Sequence, residues 1–115
     1  MNTLGRREKI MQHFELEWSP DAVDDLDEIW DSIAIDGDFD IADSFVEKLR
    51  EEARTLCDNA RKGRIIPEIG MDCYREHYYK GYTIVYEITD KTILVHEVFN
   101  QKRIYIRSYP RFNRR

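Results

Sequence analysis

The sequence predicts an α+β domain: an N-terminal strand, an α-helical hairpin, then a three-stranded antiparallel meander, with about four strands in one sheet. Three observations carry this. A short segment alternates apolar and acidic residues. Two longer stretches repeat apolar residues at three- and four-residue spacing. Three strand-like runs then follow one another, with turns too short to hold crossover helices.

The first element is Phe14-Glu15-Leu16-Glu17-Trp18, whose alternation suits a strand with one buried face. Ser19-Pro20-Asp21 starts a helix: Ser19 can cap, Pro20 suits the first helical position, and Asp21 meets the positive end of the dipole. Ala22, Val23, Leu26, Ile29, Trp30, Ile33 and Ala34 then mark an amphipathic helix from about 20 to 35. Gly37 ends it, and Asp38 or Asp40 can cap the next. The second stripe is Ile41, Ala42, Phe45, Val46, Leu49, Ala53, Leu56, Cys57 and Ala60. The break between the stripes is short, so the two helices pack as an antiparallel hairpin. Gly63 reads as a helix stop, and residues 65–72, punctuated by Pro67 and Gly70, read as a loop. The meander comprises Cys73–Tyr78, Tyr82–Thr89 and Thr92–Phe99, with Lys80-Gly81 and Asp90-Lys91 at its turns. Residues 102–110 are either a short last helix or an irregular basic tail.

The chain divides into an extension over residues 1–13, one domain over 14–110 and a basic tail over 111–115; whether the extension is ordered is left open. With 115 residues, 42% of them hydrophobic, there is material for one core, which excludes global disorder. No apolar run approaches the roughly 20 residues of a membrane span, and the N-terminus lacks the apolar region of a secretory signal. Cys57 and Cys73 make neither a metal spacing nor a disulfide framework. A cytoplasmic protein with no metal and no cofactor is expected. The net charge of −5 conceals a polarity. Residues 15–52 hold 15 acids and 2 bases, whereas residues 53–115 hold 7 acids and 13 bases. One half can therefore face an anion while the other stays solvated.

Several short motifs, read in order, resemble one family. They are Trp18-Ser19-Pro20-Asp21-Ala22 with Asp25-Leu26 and Ile29; Gly63-Arg64 with Pro67-Glu68; Arg75-Glu76; Tyr82-Thr83-Ile84-Val85-Tyr86; and Arg103 after the last strand. Together they resemble the RelE/ParE superfamily of toxins from bacterial type II toxin–antitoxin systems, over roughly residues 14–109. The resemblance implies a growth-inhibiting toxin, neutralised by a cognate antitoxin in a hetero-oligomer. That partner is expected to lay an acidic or amphipathic segment across a hydrophobic groove and the working surface. Members resembling ParE poison DNA gyrase without known nucleolytic chemistry. Members resembling RelE cut messenger RNA on the ribosome without a metal.

The RelE pattern implies Arg75, His77, Arg103 and Tyr109 as catalytic residues, with Arg64, Lys80, Lys102 and Arg107 as nucleic-acid or target contacts. Cleavage through a 2′-hydroxyl needs a base, an acid and cations for the charge on the phosphorane, a role arginine suits. Aligned through a three-residue loop, Tyr79-Lys80-Gly81, Arg75 and His77 share a face with Thr83 and Val85. Tyr74, Tyr78, Tyr82, Ile84, Tyr86 and Ile88 then form the core face. Each candidate also has a plainer reading. Arg75 can pair with an acidic helix face, His77 can be an ordinary strand histidine, and Tyr109 can pack on the core. His77 and His96 on neighbouring strands would still lack a third metal ligand. Thr83 departs from the RelE pattern, which has arginine there, and so favours gyrase. A ribosome-dependent endoribonuclease and an inactive interaction module remain as alternatives. A conflict also stands in the sheet: a two-residue turn at Asp90-Lys91 puts Glu97 on the core face beside Ile84, with Glu76 on the same row, and two acids there need partners unless they lie at the sheet edge or a bulge shifts the register.

Overall fold

The computed structural model describes residues 13–100. Its elements are β1 (Glu15–Trp18), α1 (Pro20–Ala34), α2 (Phe39–Thr55), β2 (Arg64–Ile65), β3 (Tyr74–Tyr79), β4 (Tyr82–Ile88) and β5 (Thr92–Asn100). They form one five-stranded sheet in the order β1-β5-β4-β3-β2. The expected N-terminal strand joins the meander, parallel to β5. The fifth strand, β2, lies where a loop was expected: Arg64 pairs with Glu76 and Ile65 with Arg75. A two-residue strand next to Pro67 leaves no periodicity to read.

Ser19 caps α1 as its position predicts, with Oγ accepting the Ala22 N–H at 3.0 Å. Asp38 stands at the N-cap of α2 but makes no side-chain cap bond. The second helix stops at Thr55, before the apolar stripe does, and turns carry the chain through Leu56, Cys57 and Ala60. Gly63 therefore is not the helix stop. Both helices bury their stripes on one face of the sheet, where Leu26, Ile29, Val46, Leu49 and Leu56 meet Ile84, Tyr86, Ile93, Val95 and Val98. A smaller cluster of Ile66, Val85 and Phe99 lies under Ile69 and Tyr74 on the far face.

Two details of register decide which side chains share a face. The β3–β4 connection is a two-residue turn, with Tyr79 paired to Tyr82 and with Lys80 (φ 48°) and Gly81 (φ 85°) both left-handed. Such turns match the twist of the flanking strands. The expected three-residue loop is therefore wrong by one residue, which exchanges the faces of β3. Arg75, His77 and Tyr79 lie on the helix side; Tyr74, Glu76 and Tyr78 lie on the far side, with Thr83 and Val85. In β5 the register shifts: Val85 pairs with Glu97 and Tyr86 with Val95, so His96 is bulged. The bulge sends Glu97 to the far face and resolves the conflict left by the sequence. It is held from α1: Ser19 Oγ donates to the His96 carbonyl at 2.9 Å, and the buried Asp25 carboxylate accepts the Val98 N–H at 2.9 Å.

Candidate functional site

The far face of the sheet, opposite the helices, is the face not covered by the hairpin and carries Arg64, Glu76, Tyr78, Thr83 and Glu97. The chain places only part of the expected set there. Arg75 is buried on the other side and fully engaged. Its Nη1 donates to the Gly63 carbonyl at 2.8 Å, its Nε to the Asp72 carbonyl at 2.9 Å, and its Nη2 to Asp72 Oδ1 at 2.6 Å. Arg61 also reaches Asp72, at 2.7 Å. Together the two guanidiniums, Arg61 first, hold the Asp72 carboxyl below the usual aspartate range.

The same knot explains the Gly63-Arg64 motif. Tyr86 Oη accepts the Gly63 N–H at 3.0 Å and donates to the Ala60 carbonyl at 2.7 Å. Burial pushes the Tyr86 phenol up, against the opposing pull of the Gly63 N–H, so it stays protonated and keeps that donor role. A Cβ on Gly63 would stand 2.6 Å from the Glu76 carbonyl and 2.8 Å from Tyr86 Oη. Glycine is required there by close approach. Arg75 and Tyr86 thus pin the segment between α2 and β3.

His77 also points to the helices. Its Nε2 lies 2.9 Å from Glu52 Oε2, which Lys62 Nζ approaches at 3.1 Å. His77, ahead of Lys62, draws the Glu52 carboxyl below its ordinary value although burial opposes this. Neither Arg75 nor His77 can reach a substrate on the far face. His77 and His96 lie on β3 and β5, with β4 between them, and His96 Nε2 is 2.9 Å from Glu87. Among the described residues no group of three or more His, Cys, Asp or Glu is placed to hold a metal.

Arg64 is the expected cation that does reach the far face. Its Nε and Nη2 both approach Glu76 Oε2 at 2.8 Å, and its guanidinium lies 5.6 Å from the centre of the Tyr78 ring. Tyr78 Oη donates to the same carboxylate oxygen at 2.9 Å. Glu76 is only 3% exposed, while the Arg64 side chain is 60% exposed. A buried acid therefore orients an arginine whose outer edge faces solvent. Burial first, and Glu76 second, push the Tyr78 phenol up, so Tyr78 is a donor and not a base. Thr83 is buried on this face between Tyr78 and Phe99, and Glu97, also buried, pairs with Val85. Lys80 sits exposed at the β3–β4 turn, with Nζ 5.7 Å from the Tyr79 ring centre. Arg103, Tyr109, Lys102 and Arg107 lie outside the described residues.

The sequence marks Glu76 as an acid in need of a partner, which Arg64 and Tyr78 supply, but does not single out Asp72, Gly63 or Tyr86 as partners. The three-residue spacing of Asp72 and Arg75 was the available signal for the clamp.

A family model for the ParE toxin of the type II toxin–antitoxin system parDE matches residues 16–105. The chain belongs to the ParE toxin family. No curated protein sequence matches it. Among solved structures it is similar to the chromosomal ParDE toxin–antitoxin system from P. aeruginosa, with a TM-score of 0.66 and 20% identity, over 77% of this chain and 97% of that one. It is also similar to the E. coli DinJ-YafQ toxin–antitoxin complex, with a TM-score of 0.53 and 17% identity, over 81% and 98%. At such identities the likeness is one of fold. This ParE-family toxin has no helix, among its described residues, long and apolar enough to cross a membrane.

Proposed function

We propose that this toxin arrests growth by binding DNA gyrase, performs no bond-breaking chemistry of its own, and is neutralised in the cytoplasm by a cognate antitoxin. The observation that carries the reading is the fate of Arg75 and His77. Both are turned to the helix side and held by Gly63, Asp72 and Glu52. The far face retains buried Thr83, the carboxylates Glu76, Glu87 and Glu97, and a single described arginine, Arg64. Carboxylates next to a phosphorane would raise the barrier that RNA cleavage must lower. A pre-oriented arginine beside an aromatic ring suits recognition of a protein surface. The family match supports the toxin class, and the structural neighbours, named as toxin–antitoxin complexes, support an antitoxin partner.

The test is induced expression with mapping of messenger RNA ends. Growth arrest with intact messages and a DNA-damage response is expected. New 5′ ends inside codons would overturn the reading in favour of a ribosome-dependent nuclease.

A further inference from the structure

Arg64 stands at the outer end of a charged row. Register places Arg64, Glu76, Val85 and Glu97 side by side across β2, β3, β4 and β5. The row carries its positive charge on the edge strand and its carboxylates further in. Glu76 engages Arg64 from the side, with Nε and Nη2 both 2.8 Å from its Oε2. Among the described residues, Nη1 has no bonded acceptor. A guanidinium held along its Nε–Nη2 edge still offers its Nη1–Nη2 edge, whose parallel N–H groups match the oxygens of a second carboxylate.

The neighbours favour one kind of anion. The Tyr78 ring, which the guanidinium overlies, belongs to a residue 43% exposed and gives a flat apolar surface for a partner to close on. Ile65, next along β2, is 39% exposed. The cations just before Arg64 are already engaged, Arg61 by Asp72 and Lys62 by Glu52. A nucleic-acid backbone needs a track of cations, and from Arg64 inward it would meet Glu76 and Glu97 instead. A single acidic side chain of a protein needs only the open edge of the fork and the ring beside it.

We propose that Arg64 is the residue through which the toxin grips its target: it takes an aspartate or glutamate side chain of the target protein end-on, at Nη1 and Nη2, beside the Tyr78 ring. The inference deepens the proposed function and rests on its reading that the target is a protein.

The test uses the full chain with isotope-labelled arginine and tyrosine. It is titrated with a synthetic peptide of about ten residues bearing glutamates around a central leucine, with the glutamine counterpart, and with a single-stranded oligonucleotide of equal charge. The glutamate peptide should shift the Arg64 guanidinium and Tyr78 ring resonances and bind at least about fivefold tighter than the glutamine one. Binding to purified DNA gyrase is measured in parallel, for the wild-type chain and two variants. Arg64→Lys keeps a charge for Glu76 but loses the fork, and should weaken both interactions about fivefold. The double variant Arg64→Ala with Glu76→Gln strands no buried charge, and should weaken both at least about tenfold with an unchanged circular dichroism spectrum. Undiminished gyrase binding by the folded double variant, or peptide shifts that bypass Arg64, would overturn the inference and leave the gyrase reading intact. A wild-type chain that ignores gyrase while its Arg64 takes the glutamate peptide would overturn the gyrase reading and still support the carboxylate contact. Larger Arg64 shifts with the oligonucleotide than with the peptide would overturn the inference in favour of a nucleic-acid contact.

Discussion

On the helix side of the sheet, Arg75 and His77 are surrounded by acceptors of their own chain. On the far side, Arg64 is gripped by one buried acid along one edge and keeps the other edge in water. The two environments begin from the same residue types and the same strand pair. What separates them is one turn. Left-handed Lys80 and Gly81 close a two-residue connection, and every β3 side chain is assigned a face by that choice. A basic residue at a suggestive position in a sequence is therefore a site residue only if the register delivers it to an open surface. Here register delivers Arg64 and withholds Arg75.

That contrast can be broken by mutation, starting with the clamp. Arg75→Met removes three donors and strands the buried Gly63 carbonyl, and should cost about 3 kcal/mol. Growth arrest per folded molecule should persist. Urea unfolding beside an expression assay measures both, and full stability with lost toxicity would make Arg75 a functional residue after all. Gly63→Ala forces a methyl against the Glu76 backbone and should cost about 2 kcal/mol, read as a lower urea midpoint at unchanged slope. Tyr86→Phe leaves the Gly63 N–H and Ala60 carbonyl without their shared partner, for about 1–2 kcal/mol in the same assay.

The smallest effect is one of pH. Glu52 is held below the ordinary glutamate value of 4.5 in the folded chain, chiefly by His77. Its contribution to stability is thus complete above that value and is lost as pH falls through the lower folded one. Glu52→Gln should flatten the acid limb of the stability curve below the ordinary glutamate value, by under about 1 kcal/mol for a half-buried carboxylate. An unchanged acid limb would show that the His77–Glu52 contact has no energetic weight.

The helices were legible because their stripes repeat at the helical period and Ser19-Pro20-Asp21 announces the first of them. The Asp90-Lys91 turn was legible too, and Thr89 and Thr92 close it with a 2.9 Å backbone bond. The β3 face was not. Tyr79-Lys80-Gly81 reads equally as a two- or three-residue loop until backbone twist selects one. The sequence could raise the β5 bulge but could not choose it, because its support comes from Ser19 and Asp25, more than 70 residues earlier. The clamp joins Ala60, Gly63, Asp72, Arg75 and Tyr86 across three segments, and no local pattern encodes such a meeting.

The central claim is that the far face binds and does not cut. The most direct measurement presents purified full-length chain in parallel to gyrase with relaxed plasmid and to ribosomes carrying messenger RNA. Inhibited supercoiling with intact message is the result predicted. Cleaved message with unimpaired supercoiling would contradict it.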